Sequence, residues 1–290
     1  MKKKPFMMAL GVFGAIFVFF AALMVLMPWV GNGTPVIGER VGVVEVRGVI
    51  VSARKVIEEL ESFKENTAIK AIVLRVESPG GGVAPSQEIY TAVRKAASVK
   101  PVVVSMGSVA ASGGYYISAP AKQIFANPGT ITGSIGVIMQ FPNLQELMKT
   151  IGVSLQVVKS GELKDAGASN KPLSAEERKL LQEMVDNVHS QFVRAVAEGR
   201  FMPEEKVRAL ADGRVFSGEQ AKAVGLVDQL GGLQDAVEYA GQLAKISGKP
   251  KVVYPPKEQT GLLEYLLGKS ALDLAEILPA SGGLSFIWRQ

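Results

Sequence analysis

Residues 69–104 read IKAIVLRVESPGGGVAPSQEIYTAVRKAASVKPVVV. Ile69–Val76 is apolar and β-branched at most positions, the pattern of a strand buried on both faces. Glu77–Gly82 (ESPGGG) is a turn, Pro85–Ala97 has apolar residues at helical spacing, and Pro101–Val104 is again β-branched. Strand, helix and strand in that order make a βαβ unit with a right-handed crossover.

The pattern continues in both directions. Upstream, Val41–Val46 (VGVVEV) is a strand, and Ser52–Lys64 is a helix with Val56, Leu60 and Phe63 on one face. Downstream, SGGYYISA (112–119) opens a helix and Ile124–Ala126 is a short strand. NPGTITGSIGVI (127–138) is a loop or hairpin, Leu155–Val158 a candidate strand, and KSGELKDAGASNKPL (159–173) a long polar loop. Ser174–Gly199 is the longest helix, opened by the capping-box pair Ser174 and Glu177, and shorter helices run from Pro203 to Ile246. There is no internal repeat. The fold class is α/β.

A chain of 290 residues, 48% hydrophobic, is long enough for one large domain with a real core. It has no cysteine, which excludes disulfides, thiolate metal sites and a cysteine nucleophile. A single histidine argues against a zinc site, and no other metal or cofactor motif is present. The net charge of +5 owes much to Lys2, Lys3 and Lys4; without them 29 of the 32 basic side chains face 27 acidic ones. No basic stripe with interleaved aromatics remains, so nucleic acid is not an expected partner.

Residues 6–30 (FMMALGVFGAIFVFFAALMVLMPWV) carry no charge. At about 1.5 Å per residue such a helix crosses a hydrocarbon core of about 30 Å. The lysines before it place residues 1–5 in the cytoplasm and the rest of the chain beyond the membrane, with Trp29 at the outer interface. A cleaved signal peptide would have a shorter apolar core and a small-residue cleavage site; this run is longer and ends in LMPWVGNG. The expected organisation is therefore an anchor (6–30), a linker (31–40), a domain (41–250) and a tail (251–290). LLEYLLGKSALDLAEILPASGGLSFIW (262–288) within that tail reads as an amphipathic packing helix, or as a contact with the membrane surface or a neighbouring subunit.

Two glycine-rich turns, SPGGG (78–82) and ASGG (111–114), each follow a strand, and in open α/β sheets ligands bind beyond the carboxyl ends of strands. Ser112 stands at the start of a helix, where the Gly113 amide and one from Gly80 or Gly81 could receive an oxyanion. Taken alone, each feature is as well explained by a tight turn; a phosphate cradle is disfavoured because no Gly-Lys-Ser/Thr follows. Ser105, Ser108 and Ser118 are rival serines, but none precedes a glycine pair. A serine needs a base. His189 lies between Val185 and Val193 in the long helix and reads as a packing residue, which leaves lysine as the remaining standard partner. A lysine base must act neutral, a state that burial favours. Lys164 is a candidate, with Glu162 and Asp165 beside it to hold an ammonium, and by composition alone it reads as a solvated loop residue.

SPGGGV, GSVAASGGYYIS, TGSIGVI, KSGELKD and DGRVFSGEQAKAVGLVDQLGG, in that order between about Val41 and Leu243, resemble bacterial signal peptide peptidase A, a membrane-anchored serine protease. The resemblance implies a fold similar to the Clp protease and crotonase superfamily, built of repeated ββα units. It implies that Ser112 is the nucleophile and Lys164 the general base, with Gly113 and Gly80 or Gly81 at the oxyanion. It also implies a homo-oligomeric ring in which serine and lysine of one site come from adjacent subunits, no cofactor, and remnant signal peptides and other apolar membrane peptides as substrates. Rival readings are a stomatin-associated type of membrane serine protease, an acyl-CoA-handling crotonase relative and a non-catalytic membrane scaffold.

Overall fold

The computed structural model describes residues 16–19, 38–256 and 285–288. The chain divides into two units, Met1–Gly38 and Glu39–Gln290. In the first unit residues 16–19 are helical; the rest of the expected anchor (6–30), residues 1–5 and most of the linker lie outside the described residues. Among the described residues no helix is long and apolar enough to cross a membrane.

The second unit begins with β1 (Arg40–Arg47), α1 (Arg54–Glu65), β2 (Ile69–Ser78), β3 (Gly80–Gly82), α2 (Val83–Ala97), β4 (Val102–Ala111) and α3 (Gly113–Ser118). It continues with β5 (Gln123–Ala126), β6 (Ile131–Gly133), α4 (Gln145–Thr150), a 3₁₀ turn (Glu162–Asp165) and α5 (Ala175–Arg200). Then come α6 (Glu204–Leu210), β7 (Val215–Ser217), α7 (Gly218–Val224), β8 (Gln229–Leu230), α8 (Leu233–Leu243), β9 (Lys251–Val253) and β10 (Ser285–Ile287).

The main sheet runs β7-β6-β4-β2-β1-β9, with β5 on β4 and β8 on β5. It is a mixed sheet: β6 and β7 are antiparallel, and the other pairs are parallel. Its central strands alternate faces residue by residue. Val41, Val43, Ala71, Val73 and Val103 pack under α8, whereas Val44, Val46, Ile72, Leu74 and Val104 pack under α1, α2, α3 and α5. Covering both faces requires strands apolar throughout, which is why these segments were legible as continuous β-branched runs. The long helix starts as expected, since Ser174 and Glu177 form a reciprocal capping box, an arrangement of about 1 kcal/mol.

One irregularity positions the site. β2 and β4 run in register to Val76↔Met106 and resume at Ser78↔Ala110, so β4 carries extra residues. The Glu77 carboxylate accepts from the amides of Ser108 (2.9 Å) and Val109 (3.3 Å) there and replaces the missing ladder bonds. The bulge lets β4 pair with β5 in its first half and β6 in its second, and it delivers Ala111 and Ser112 at the carboxyl end of the sheet.

Three segments differ from expectation. Gly80–Gly82 is a short strand rather than only a turn, and β10 pairs antiparallel with it. Leu155–Val158 forms no strand; Leu155, Val157 and Val158 are exposed and meet no sheet edge among the described residues. The expected domain limit at 250 falls short, because Lys251–Val253 pairs with β1 and Ser285–Ile287 with β3. Residues 257–284, where the amphipathic helix is expected, lie outside the described residues.

Candidate active site

Ser112 is the single residue between β4 and α3. Its φ of 53° and ψ of −114° lie outside the regions open to an L-residue with a side chain. Such a conformation costs about 1–3 kcal/mol and persists only where surroundings impose it. They do so from both sides: the Ser112 amide donates to Gly133 O at 2.8 Å, and the Tyr116 amide donates to Ser112 O at 2.8 Å. A sharp strand-to-helix turn that lifts a serine hydroxyl off the end of a sheet is a recurring device for nucleophiles. The Ser112 side chain makes no helix-capping bond, and the residue is 1% exposed.

Gly113 and Gly80 are glycines because the two turns approach closely. A Cβ on Gly113 would lie 2.7 Å from Ser86 Oγ and 3.1 Å from Gly80 Cα. A Cβ on Gly80, whose φ is +99°, would lie 2.7 Å from the Gly113 amide nitrogen. The Gly80 amide donates to Ser78 Oγ at 3.1 Å. Gly80 O accepts from Ile50 N, and Gly82 N donates to Ile50 O. By strand alternation the amide and carbonyl of Gly81 then face the opposite edge, where Phe286 of β10 stands opposite it. Of the glycines expected at an oxyanion, the Gly80 amide is therefore engaged, the Gly81 amide faces β10, and the Gly113 nitrogen lies close against Gly80 at the start of α3.

The ring of Phe286 is fully buried against Tyr116 (centroids 5.1 Å apart, stacked) and Phe192 (4.7 Å). Burial pushes the Tyr116 hydroxyl up to about 12, so it stays neutral.

A cavity of about 500 Å³ opens beside Ser112 and is lined further by Ser134, Asp186, His189, Asp212 and Trp288. Sequence reasoning did not place Ser134 or His189 at the site. Ser134, with a φ of 49°, lies in TGSIGVI, so the motif was seen and its role was not. His189 Nε2 lies 2.7 Å from Ala211 O. A carbonyl only accepts, so Nε2 carries the proton there. This fits the structural role read for His189, although the residue also faces the cavity.

Lys164 sits on the 3₁₀ turn, exposed, and is not among the residues lining the Ser112 cavity. The expectation that Asp165 would hold its ammonium is not met. Asp165 Oδ1 pairs with Lys159 (2.8 Å) and Lys171 (3.0 Å), and Lys171 also bonds the buried Glu177. Hydrogen bonds from Lys159 and Lys171 bring the Asp165 carboxyl down to about 2. Lys159 further donates to Glu162 O at 2.7 Å. This chain of charges ties the lysine-bearing loop to the first turn of α5 and leaves Lys164 with no ion pair among the described residues.

The profile of peptidase family S49 matches residues 94–247, and that of Clp protease matches residues 46–131. The chain is 44% identical over 207 residues to the Synechocystis sp. protein described as "Putative protease slr0021", covering 71% of this chain and 75% of that one. It is 39% identical over 216 residues to the Enterococcus faecium protein described as "Putative signal peptide peptidase SppA", covering 74% and 62%. It is 40% identical over 189 residues to "Protease 4" of Salmonella typhi, covering 65% of this chain and 30% of that one.

Proposed function

We propose, for a chain that belongs to peptidase family S49 and is a serine peptidase of the signal peptide peptidase A type, that Ser112 is the nucleophile and Lys164 the general base of a dyad assembled between neighbouring copies. Neutral Lys164 takes the Ser112 proton as Oγ attacks a peptide carbonyl. The oxyanion is received by the amides of Gly113 and Gly81, with Gly80 shaping the space between them. Lys164 then gives its proton to the leaving amine, and water activated by the same lysine hydrolyses the acyl-enzyme. The substrates are remnant signal peptides and other apolar peptides, met at the extracytoplasmic face of the membrane by a domain held there through residues 6–30.

The observation that carries this reading is the constrained Ser112 at the start of α3, where the Gly113 turn packs closely against Gly80. Supply of Lys164 from a second copy accounts for its exposure and for its absence from its own chain's Ser112 cavity. The oligomeric habit of Clp-like folds and the exposed apolar residues of 144–158 support assembly.

The full chain in detergent, with Ser112→Ala and Lys164→Ala beside it, tests the dyad on a synthetic signal peptide. Both variants should lose at least about 10³-fold in kcat/KM, and Lys164→Arg should not rescue, since a guanidinium does not deprotonate. Full activity in Lys164→Ala would remove the base assignment. His189 supplies a second reading, because it shares the cavity with Ser112; His189→Gln should keep most activity if Lys164 is the base and lose it if His189 is.

A further inference from the structure

The part of β4 that leads to Ser112 is held by side chains where a regular strand would rely on its neighbours' backbones. Arg75 Nη1 donates to Ser105 Oγ (2.8 Å) and to Met106 O (3.0 Å). Thr130 Oγ1 donates to Gly107 O and Thr132 Oγ1 to Ala110 O, both at 2.7 Å. The amides between those two carbonyls, Ser108 N and Val109 N, both donate to Glu77. Its Oε1 accepts from Ser108 N at 2.9 Å and from Val109 N at 3.3 Å, and its Oε2 accepts a second contact from Ser108 N at 3.0 Å. Arg75 Nη2 stands 3.8 Å from Oε2 on the other side. One carboxylate therefore satisfies the bulge that separates Val76↔Met106 from Ser78↔Ala110.

Gly107 carries the imprint of this contact. Its φ is not positive, so the backbone itself does not ask for glycine there. A Cβ on Gly107 would fall on Glu77 Oε2 and lie 2.5 Å from Glu77 Cδ. The residue is glycine because the carboxylate occupies the place of its side chain. Val109 is three residues before Ser112, whose backbone conformation persists only while its surroundings impose it. The bond from Ser112 N to Gly133 O fixes that turn against β6, and the bulge sets where the end of β4 meets β6.

We infer that Glu77 is a positioning residue of the reaction: it locks the β4 bulge, and through it keeps Ser112 in the strained turn that aims its hydroxyl. The inference rests on Ser112 being the nucleophile. Without the acceptor, the amides of Ser108 and Val109 turn to water, residues 107–111 shift, and Ser112 relaxes toward an ordinary conformation. A displacement of about 1 Å at a reacting atom costs about 100-fold in rate.

The full chain is prepared in detergent as wild type, Glu77→Ala, Glu77→Gln, Gly107→Ala and the Glu77→Ala/Gly107→Ala double variant. Each is assayed for kcat and KM on a synthetic signal peptide and for its rate of labelling by a serine-reactive fluorophosphonate. Circular dichroism and sedimentation establish that the compared proteins are folded and assembled. Glu77→Ala should lower kcat and the labelling rate together by about 100-fold with KM little changed. Glu77→Gln keeps an acceptor at the Oε1 position and should recover to within about tenfold of wild type. Gly107→Ala, which evicts the carboxylate without altering it, should fall as Glu77→Ala does. Added to Glu77→Ala it should cost little more, because the two changes break the same contact. A Glu77→Ala protein that melts earlier yet keeps the kcat and labelling rate of wild type makes Glu77 purely structural and overturns the inference. So does a Glu77→Gln as slow as Glu77→Ala, or a full additive loss in the double variant. If Glu77→Ala does not fold, Gly107→Ala decides alone, and labelling at the wild-type rate overturns the inference. A wild type that cuts nothing and resists the fluorophosphonate removes the proposed function, and this inference with it.

Discussion

Ser112 holds a backbone conformation that costs stability, and the cost is measurable. Glycine accepts a φ of 53° freely, so Ser112→Gly removes about 1–3 kcal/mol of strain and returns part of it, about 0.5–1 kcal/mol, through a more flexible unfolded chain. A net gain near 1 kcal/mol is expected, or a Tm about 2–4 °C higher for a domain of this size, with activity abolished. Calorimetry decides the matter: a lower Tm would mean that the turn is not strained. Gly80→Ala is expected to do the reverse. Its Cβ would fall on the Phe286 carbonyl oxygen and crowd the Gly113 amide, so kcat should collapse on any peptide while Ser112→Gly and Gly80→Ala both stay folded. Ser112 and both glycine turns stood out in the sequence because each falls in a short run of unusual composition, whereas Lys164 read by composition as a solvated loop residue and was singled out by the family resemblance. Which glycine amide points away from Ile50 was not legible, since that depends on Ser78 Oγ and Ile50 claiming the groups of Gly80 and Gly82.

At the scale of elements, the strands and helices of the sheet announced themselves, whereas the two shortest pieces of the site did not. β3 is made of glycine alone and has no side-chain pattern to read; β10 was hidden in an apolar tail whose composition suits a helix equally well. The loop 159–173 was readable as polar, but its anchorage required knowing that Lys171 and Asp165 meet Glu177 at the start of α5. That anchorage has a pH window. Asp165 and Glu177 have carboxyls held below their ordinary values, chiefly by the neighbouring lysines, so their contribution is present above the ordinary carboxylate range of about pH 4 and is lost as pH falls, for Asp165 toward about 2. Lys171 is raised by Glu177 and Asp165, so its contribution is whole below about pH 10 and fades above it. Hydrogen exchange corrected for intrinsic rate should show amides of 159–173 protected at pH 6 and loosened at pH 3, with Glu177→Gln loosened already at pH 6. Equal protection at both pH values would mean that the charge chain does not hold the loop.

The whole molecule raises the question of how many chains make one site. Within one chain Ser112 is buried at the sheet end and Lys164 is exposed on a turn outside its cavity. Between them in sequence lie Leu147, Ile151, Leu155 and Val158, all more than half exposed. An apolar row of this kind on a segment with no described partner is what a heterologous contact between identical subunits would cover, and the same contact would carry Lys164 toward a neighbour's Ser112. Two dead variants then become complementary. In a one-to-one mixture of Ser112→Ala and Lys164→Ala subunits, random assembly gives about one quarter of sites an intact serine and an intact lysine, so about a quarter of wild-type activity should return after the subunits exchange. The pair Leu147→Asp and Val158→Asp, placed on both dead chains, should leave them monomeric by sedimentation and abolish the recovery, while circular dichroism stays native. If the mixture stays dead although it has assembled into mixed oligomers, serine and lysine must meet within one chain. The 159–173 loop would then have to fold onto its own cavity, breaking its ties to α5.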